Sequence, residues 1–430
     1  MIWKSKIPQL PALALAAAPL IFAGLTWDHG SPSDLMQISR QLSTPITLIE
    51  IAVIFAGARA GMTVNWIFYS VPVWCRLLAT VLFIQTVIIA GFFSVNPPVA
   101  LMHTIMIMVH VFFGFSCFYL IMKASKRSIV EWHPIAISGA VFTGLAVFFA
   151  ITAPDAETYD WVYFGLAVAN VRHLGVYSLV GCCAAVGISV QASSKRQMII
   201  WSLVASLSLA LSVWSGTRGS LLAITLSMTV CALFAAQYAR KMMQIALIIF
   251  PVAFVIGSTY IPDGRIFGLV RVVESVVGDV KTGQSRIAMW REVPALMSER
   301  PLFGHGLGQY RFVAREAQSN YNHPHNFLAQ FLVQWGMVGT VIALIFGSVL
   351  YFVSLKRFLA NPDEAMAPFL IVNGLMCMAL YEGVLFHPFP LMSLAFCYAM
   401  LLGIPNAQPK QVTRTRTSSL DRIFLREKAA

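Results

Sequence analysis

The chain has 430 residues, of which 58% are hydrophobic and only 11% are charged. Because a soluble globular domain carries about 25% charged residues, this composition excludes a soluble enzyme or binding module and indicates a polytopic membrane protein. The formal net charge is +12, and much of it lies in the last 26 residues. Since that tail has no nucleic-acid-binding fold pattern, we expect it to contact anionic membrane lipids and no nucleic acid.

Twelve apolar runs each approach the ~20 residues that a helix needs to cross the hydrocarbon core of a bilayer. They lie near residues 8–27, 43–58, 72–93, 99–122, 134–152, 173–191, 198–215, 219–238, 242–260, 325–355, 367–386 and 389–404. We therefore predict an all-α fold with about twelve transmembrane helices. The expected division is 1–260 for helices 1–9, 261–322 for a polar loop, 323–404 for helices 10–12 and 405–430 for a basic tail.

Short loops that are rich in Lys and Arg tend to remain in the cytoplasm. With both termini in the cytoplasm, six cationic loops fall on that side, among them those with Lys4 and Lys6, Arg59 and Arg76, and Lys356 and Arg357. The polar loop 261–322 is then external. Its arginines do not contradict this assignment, because long segments are translocated largely regardless of charge.

The polar loop, which we call the arm, shows helical patterns of its own. Apolar residues recur at helical spacing over 266–277 and predict an amphipathic helix along the membrane surface. A second helix is expected from Gln284, with Ile287, Trp290 and Val293 on one stripe and Pro294 inside it or at its break. Three glycines, Gly304, Gly306 and Gly308, then indicate a tight loop around His305.

The motif His323-Pro324-His325-Asn326 stands where the arm meets the next apolar run. A neutral imidazole accepts a proton from a sugar hydroxyl near neutral pH. His325, beyond the rigid proline and beside Asn326, is the predicted general base, with His323 and Asn326 as possible supporting residues. The alternative is that these polar residues only cap the helix at the headgroup level.

A second motif is the short turn Ser215-Gly216-Thr217-Arg218-Gly219-Ser220 between two apolar runs. Its glycines permit close approach of the backbone to a ligand, and the following helix presents free N–H groups to an anion. Arg218 adds a planar guanidinium suited to phosphate. The alternative is an arginine that only reaches lipid headgroups.

A third set of cations, Arg286, Arg291 and Arg172, is expected at the same external face. Two or three arginines neutralise a lipid pyrophosphate and stabilise the charge that develops as it leaves. Arg286 ranks above Arg291, and both rank above Arg172. The alternative for each is an exposed ion pair of little energetic value. Glu382, near the outer end of a predicted span, is expected to pair with an arginine or to line the cavity.

The sequence contains no Asp-x-Asp arrangement for a divalent cation near the external ends of the runs. The seven cysteines fall in the predicted spans and show no metal-ligand spacing. We therefore predict a transfer reaction that needs neither a metal nor another cofactor.

Four pieces of sequence occur in an order that resembles the bacterial O-antigen ligase and polymerase superfamily. They are Ser215–Gly219, Ser285–Trp290, Pro301–Gly308 and His325–Leu328, the last followed by Gly336 and Gly339. Members of this superfamily are polytopic glycosyltransferases with a large periplasmic loop. Within it the chain is most similar to the ligase that joins O-antigen to lipid A-core oligosaccharide.

The resemblance implies a multi-pass protein of the bacterial inner membrane with a GT-C-like fold and an active site facing the periplasm. It implies an undecaprenyl-pyrophosphate-linked glycan as donor, a sugar hydroxyl of lipid A-core as acceptor, and inversion at the anomeric carbon. The essential histidine of the family corresponds to His325, and its essential arginines correspond to Arg218 and to Arg286, with Arg291 as a rival.

Three alternatives remain at this point. An O-antigen polymerase or a protein O-oligosaccharyltransferase uses the same donor and similar motifs with a different acceptor. A transporter or flippase of lipid-linked sugars also has about twelve spans, but transporters place their functional groups near the bilayer midplane, often between repeated halves. Here the polar groups collect at one external face.

Overall fold

The computed structural model describes residues 9–27, 43–123, 132–153, 158–168, 170–263, 267–268, 280–315 and 321–404, and over these residues the fold is all-helical. The helices before the arm are α1 (Leu10–Leu25), α2 (Ser43–Arg59), α3 (Val64–Ser70), α4 (Val73–Ile88), α5 (Pro97–Lys123), α6 (His133–Ile151), α7 (Leu174–Gln191), α8 (Lys195–Trp214), α9 (Arg218–Phe234) and α10 (Ala239–Gly257). The arm and the region after it contain α11 (Val280–Glu299), α12 (Tyr310–Val313), α13 (Phe327–Ala360), α14 (Pro362–Ala379) and α15 (Pro388–Gly403).

Each of the twelve predicted apolar runs coincides with a helix. Within the described residues, seven helices are long and apolar enough to cross a membrane, and α1, α9 and α15 are shorter apolar helices. The multi-pass membrane class is therefore confirmed, whereas the number of twelve crossings stays a prediction. One run differs from expectation: the predicted span 367–386 ends as a helix at Ala379, and the chain continues as a turn and a 3-10 helix, Val384–Phe386.

The helix α7 is the centre of the bundle. In the segment Val171–Gln191, 89% of the most apolar window is buried, compared with 22% in α13. Small residues allow neighbouring helices to approach it closely. Gly139 of α6 and Gly181 of α7 face each other so closely that a Cβ on either would lie 2.7 Å from the Cα of the other.

Hydroxyl groups connect α7, α8 and α9 inside this core. Ser212 Oγ donates to Ser178 Oγ at 2.6 Å, and Ser178 Oγ donates to Ser208 O at 2.7 Å. Ser212 also shares a 2.6 Å hydrogen bond with Ser220 Oγ at the start of α9. Buried polar groups in hydrocarbon are costly unless they are paired, so these bonds fix the relative positions of the helix ends near the Ser215–Ser220 turn.

A second buried polar contact lies away from that turn, between α2 and α5. Glu50, which is fully buried, contacts His110 Nδ1 through Oε1 at 2.7 Å. His110 is the partner that the bundle provides for this buried carboxyl group.

The arm is described in part. The amphipathic helix predicted over 266–277 lies outside the described residues except for Phe267 and Gly268. The second predicted helix is α11, which contains Pro294 without ending there. The three glycines of the following loop all have positive φ, namely 71° for Gly304, 101° for Gly306 and 68° for Gly308. The permissive loop predicted around His305 is confirmed, and His305 Nε2 contacts Leu296 O at 3.0 Å.

The loop 300–309 docks against a break in α13. Gly336 has φ 61° and ψ −165° inside that helix. The freed backbone groups bond to the loop: Met337 N donates to Pro301 O at 2.9 Å, and His305 N donates to Val333 O at 2.8 Å. This contact attaches the arm to the membrane-spanning bundle and sets the position of α11.

Candidate active site

The His323–Asn326 motif forms the entry to α13. Asn326 is the N-cap: its Oδ1 accepts from Ala329 N at 2.9 Å, and its Nδ2 donates to Leu380 O at 2.7 Å. Asn326 is thus a structural link between two elements. His325 has φ +51°, a left-handed conformation that is rare and costly for a non-glycine residue. The cap at Asn326 and the preceding Pro324 maintain this strained conformation. Strained backbone of this kind is typical of functional positions.

Glu382 lies between a guanidinium and an imidazole. Arg286 Nη2 donates to Glu382 Oε1 at 2.7 Å, and His325 Nδ1 lies 3.4 Å from Glu382 Oε2. Burial disfavours the charged carboxylate, but the contact with His325 and the charge of Arg286 outweigh burial and lower the pKa of Glu382 to about 2. Glu382 is therefore ionised at neutral pH. It is held in the turn after α14, not within the span that the hydropathy predicted.

The helix α11 brings Arg286 to this carboxylate. Arg286 and Trp290 are four residues apart and so share one face of the helix. Trp290 Nε1 donates to Pro324 O at 2.8 Å, which anchors α11 directly on the histidine motif. Arg291 is exposed and lies about 140° around the helix from Arg286. The structure brings Arg286 to Glu382, and Arg291 projects from another face.

The turn Ser215–Ser220 approaches the same carboxylate from α9. Gly216 has φ 62°, and α9 begins at Arg218. Tyr381 Oη donates to Gly219 O at 2.6 Å. A Cβ at Gly219 would lie 2.8 Å from the Tyr381 ring and 3.6 Å from Glu382 Cγ, so only glycine permits this close approach. The backbone next to Arg218 is therefore adjacent to Glu382.

Arg172 joins this turn from the start of α7. It lies in a 3-10 helix, Val171–His173, where Asn170 Oδ1 accepts from Arg172 N at 2.9 Å. Arg172 Nη1 donates to Gly216 O at 3.5 Å. Three arginines, Arg172, Arg218 and Arg286, thus come from three different elements to one end of the bundle.

His323 lies behind His325 in a group of imidazoles. Its ring centroid is 4.4 Å from that of His325 and 5.4 Å from that of His387, and the His387 ring is 4.2 Å from His173. Burial, followed by the charges of neighbouring histidines, holds the pKa of His323 well below its usual range. His323 is therefore neutral at neutral pH, and its Nδ1 accepts from His325 N at 3.3 Å. A Cβ at Gly383 would overlap the His323 ring at 1.9 Å.

Sequence reasoning gave too little weight to the segment Tyr381-Glu382-Gly383 and to His387. Glu382 bridges the predicted base and the predicted arginine, Tyr381 binds the Arg218 turn, and Gly383 makes room for His323. One feature of the sequence could have indicated their importance. The polar motif Tyr381-Glu382-Gly383, followed by His387-Pro388, interrupts a region that we predicted to be nearly continuous membrane-spanning helix.

The arrangement suits transfer of a group from a phosphate leaving group. The Arg286 guanidinium and the partly exposed His325 imidazole contact one carboxylate, that of Glu382. Arg172 lies at the Ser215–Ser220 turn, which contains Arg218 and packs against Tyr381 and Glu382. Guanidinium groups are suited to binding phosphate. Among the residues described, no three His, Cys, Asp or Glu side chains are grouped in a way that could hold a metal ion.

Comparison with known families agrees with the motifs. Residues 203–344 match the family model described as O-antigen ligase. The resemblance to that superfamily is therefore confirmed. The matched segment includes Arg218, Arg286 and His325, whereas Arg172 and Glu382 lie outside it. No curated protein matches the chain.

Proposed function

We propose that this membrane protein of the O-antigen ligase superfamily transfers a glycan from undecaprenyl pyrophosphate to a sugar hydroxyl of lipid A-core oligosaccharide. The reaction takes place at the periplasmic face of the inner membrane, proceeds with inversion at the anomeric carbon and uses no metal. The observation that carries the proposal is the contact series Arg286–Glu382–His325, with distances of 2.7 Å and 3.4 Å.

His325 is the general base of this reaction. Glu382 contacts Nδ1 of the ring, which leaves Nε2 to accept the proton of the acceptor hydroxyl. The carboxylate also stabilises the imidazolium that forms. The 3.4 Å contact is longer than an ideal hydrogen bond, and catalytic hydrogen bonds commonly tighten when substrate binds.

The acceptor oxygen attacks the anomeric carbon as its proton passes to His325. The bond between that carbon and the pyrophosphate oxygen breaks on the opposite face, and the pyrophosphate leaves with the electron pair. A single displacement of this kind inverts the anomeric configuration. Pyrophosphate needs no carboxylic acid to protonate it once its charge is stabilised, in contrast to the leaving group of a glycosidase.

The arginines stabilise the departing charge. Arg286 uses Nη2 for Glu382, and its remaining N–H groups are available to a phosphate oxygen. Arg218 at the start of α9 adds a second guanidinium and the free N–H groups of a helix N-terminus. Arg172, beside Gly216, is the third cation.

An O-antigen polymerase or a protein O-oligosaccharyltransferase would use the same donor site with another acceptor, so the test is a competition between acceptors. Purified protein receives an undecaprenyl-pyrophosphate glycan together with lipid A-core, a serine-containing peptide and a second donor molecule. We expect glycan on lipid A-core, with inverted anomeric configuration by NMR, and undiminished transfer in the presence of a strong chelator. Products on the peptide or on the second donor would assign one of the alternatives.

Replacing His325 with Gln tests the base. Because positioned base catalysis contributes about 10² to 10⁴ in rate, we expect His325→Gln to lose transfer by that factor while it still binds donor lipid. His133→Gln is the matched control, since His133 is an exposed histidine at the start of α6 whose ring meets that of Trp201 edge-to-face. Normal transfer by His325→Gln would refute the assignment of the base.

A further inference from the structure

Two exposed aromatic side chains flank the predicted base. Trp290 is 38% exposed and Tyr321 is 37% exposed. The Tyr321 ring meets the His325 ring edge-to-face, with centroids 5.7 Å apart. Trp290 belongs to α11 and bonds through Nε1 to Pro324 O, the carbonyl immediately before His325. Both rings therefore have defined positions relative to His325.

Their geometry suits a saccharide. The faces of Trp and Tyr rings are broad and apolar and carry partial negative charge, and the C–H bonds on one face of a sugar ring are complementary to them. The Trp290 hydrogen bond to Pro324 O orients the ring, so little conformational freedom is lost when a ligand binds. Tryptophan and tyrosine that serve only as interfacial anchors need no fixed relation to a candidate base.

The position of Trp290 on α11 favours the acceptor sugar over the donor glycan. Arg286 lies one helical turn away on the same face, about 6 Å along the axis, and is directed to Glu382, where the pyrophosphate charge is to be stabilised. The acceptor must present its hydroxyl to His325, and the Tyr321 ring and the Pro324 carbonyl group that binds Trp290 lie directly beside His325.

Cations near the two rings point to an acidic acceptor. Arg311 Nη1 donates to Asn322 Oδ1 at 3.5 Å, next to Tyr321, and Arg291 is exposed beside Trp290. We propose that Trp290 and Tyr321 form the acceptor subsite, a stacking platform for a sugar ring of an anionic oligosaccharide whose hydroxyl faces His325. This inference rests on the proposed function and identifies the residues that bind the acceptor.

The test separates acceptor binding from donor binding. Trp290→Ala and Tyr321→Ala should each raise the KM for lipid A-core by roughly tenfold. Tyr321→Ala leaves the hydrogen bond between Trp290 and Pro324 intact and should therefore leave the KM for the donor lipid unchanged. Trp290→Phe keeps an aromatic face and should recover most of the affinity for acceptor. Trp27→Ala is the matched control, because Trp27 is also 38% exposed and its ring packs on Phe148 and Phe149.

Equilibrium binding of delipidated core oligosaccharide provides a second readout that does not require turnover. We expect the wild-type protein and Trp27→Ala to bind it equally, and Trp290→Ala and Tyr321→Ala to bind it about tenfold more weakly. An unchanged acceptor KM and an unchanged oligosaccharide affinity in both alanine variants would overturn the inference. A rise in donor KM alone would also overturn it, because the rings would then bind the donor glycan. Absence of transfer by the wild-type protein would instead reject the proposed function.

Discussion

At the scale of single residues, Glu382 organises the site. One carboxylate contacts both the predicted base and the predicted phosphate-binding arginine, and these three residues come from the turn after α14, the entry to α13 and the arm. A histidine with an ionised partner on one ring nitrogen is oriented with the other nitrogen free, which is the arrangement that general base catalysis requires. We interpret Glu382 as a positioning residue.

Replacing Glu382 with Gln should lower transfer strongly, because neutralising the carboxylate that orients a histidine base costs up to ~10⁴ in rate. The loss should appear in kcat more than in either KM. The matched control is Glu299→Gln, since Glu299 also pairs with an arginine, Arg315, but lies on the exposed surface of the arm. Equal activity of the wild-type and Glu382→Gln proteins would contradict the positioning role.

The same variant tests the electrostatics of the site. The pKa of Glu382 is lowered from 4.5 to about 2, so its contribution to stability is fully present above pH 4.5 and is lost as the pH falls toward 2. Wild-type protein should therefore be more stable than Glu382→Gln at pH 7, and the difference in unfolding temperature should shrink below pH 4.5. If the difference in unfolding temperature between the two proteins stayed constant with pH, ionisation of Glu382 would not stabilise the folded state.

At the scale of elements, the break in α13 determines where the arm lies. Gln85 Nε2 of α4 donates to Trp335 O at 2.7 Å, and the loop 300–306 pairs with the backbone on both sides of Gly336. Backbone N–H and C=O groups away from water must be hydrogen-bonded within the protein. The break in α13 is therefore stable only because the loop and Gln85 pair with the backbone groups that the break leaves without a helical partner. The arm is thereby fixed to the bundle at one end by this loop and at the other by Trp290 and Arg286.

Gly336→Ala should disrupt the contact between the loop 300–306 and α13. The residue occupies a φ/ψ region that is essentially restricted to glycine, and a Cβ there would lie 2.5 Å from the Leu302 carbonyl group. We expect a loss of at least about 1 kcal/mol in stability, together with faster proteolysis of the arm. Gly347→Ala is the control on the same helix, since nothing lies within 4 Å of a Cβ at Gly347. Identical unfolding temperatures for the two variants would refute the role of the break.

At the scale of the whole molecule, the site-bearing ends of the helices all lie on one side of the bundle. The starts of α7, α9, α13 and α15 and the end of α14 carry Arg172, Arg218, His325, His387 and Glu382. Alternate helix directions place the opposite ends, with Lys195 and Lys356, on the other side. This polarity matches the charge bias of the short loops and differs from the midplane sites typical of transporters.

The orientation can be tested by cysteine labelling in a variant that lacks the native cysteines. Ser298→Cys lies on the exposed surface of α11 in the arm, and Ser193→Cys lies in the exposed connection between α7 and α8. A membrane-impermeant maleimide should reach the first from the periplasm and should reach the second only after the inner membrane is opened. Labelling in the reverse pattern would invert the topology and place the site in the cytoplasm.

Much of this protein is predictable from local sequence. Hydropathy averaged over about 20 residues reflects a property of each segment alone, and the helices therefore coincide with the apolar runs. The glycine pattern Gly304-x-Gly306-x-Gly308 likewise predicted the tight loop around His305, and the ordered motifs predicted the resemblance that the family match over residues 203–344 confirms. The choice of His325 followed from the chemistry of imidazole and its place at the start of α13.

Only the tertiary structure decided which side chains meet. Glu382 is 96 residues from Arg286 in sequence, and Tyr381 is 162 residues from Gly219. No pattern within either segment contains these contacts, because they depend on how helices from distant parts of the chain pack and where α14 ends. Hydropathy is a sum over neighbours in sequence and determined the membrane helices, whereas the pairing of one carboxylate with one arginine and one histidine depends on distances in space.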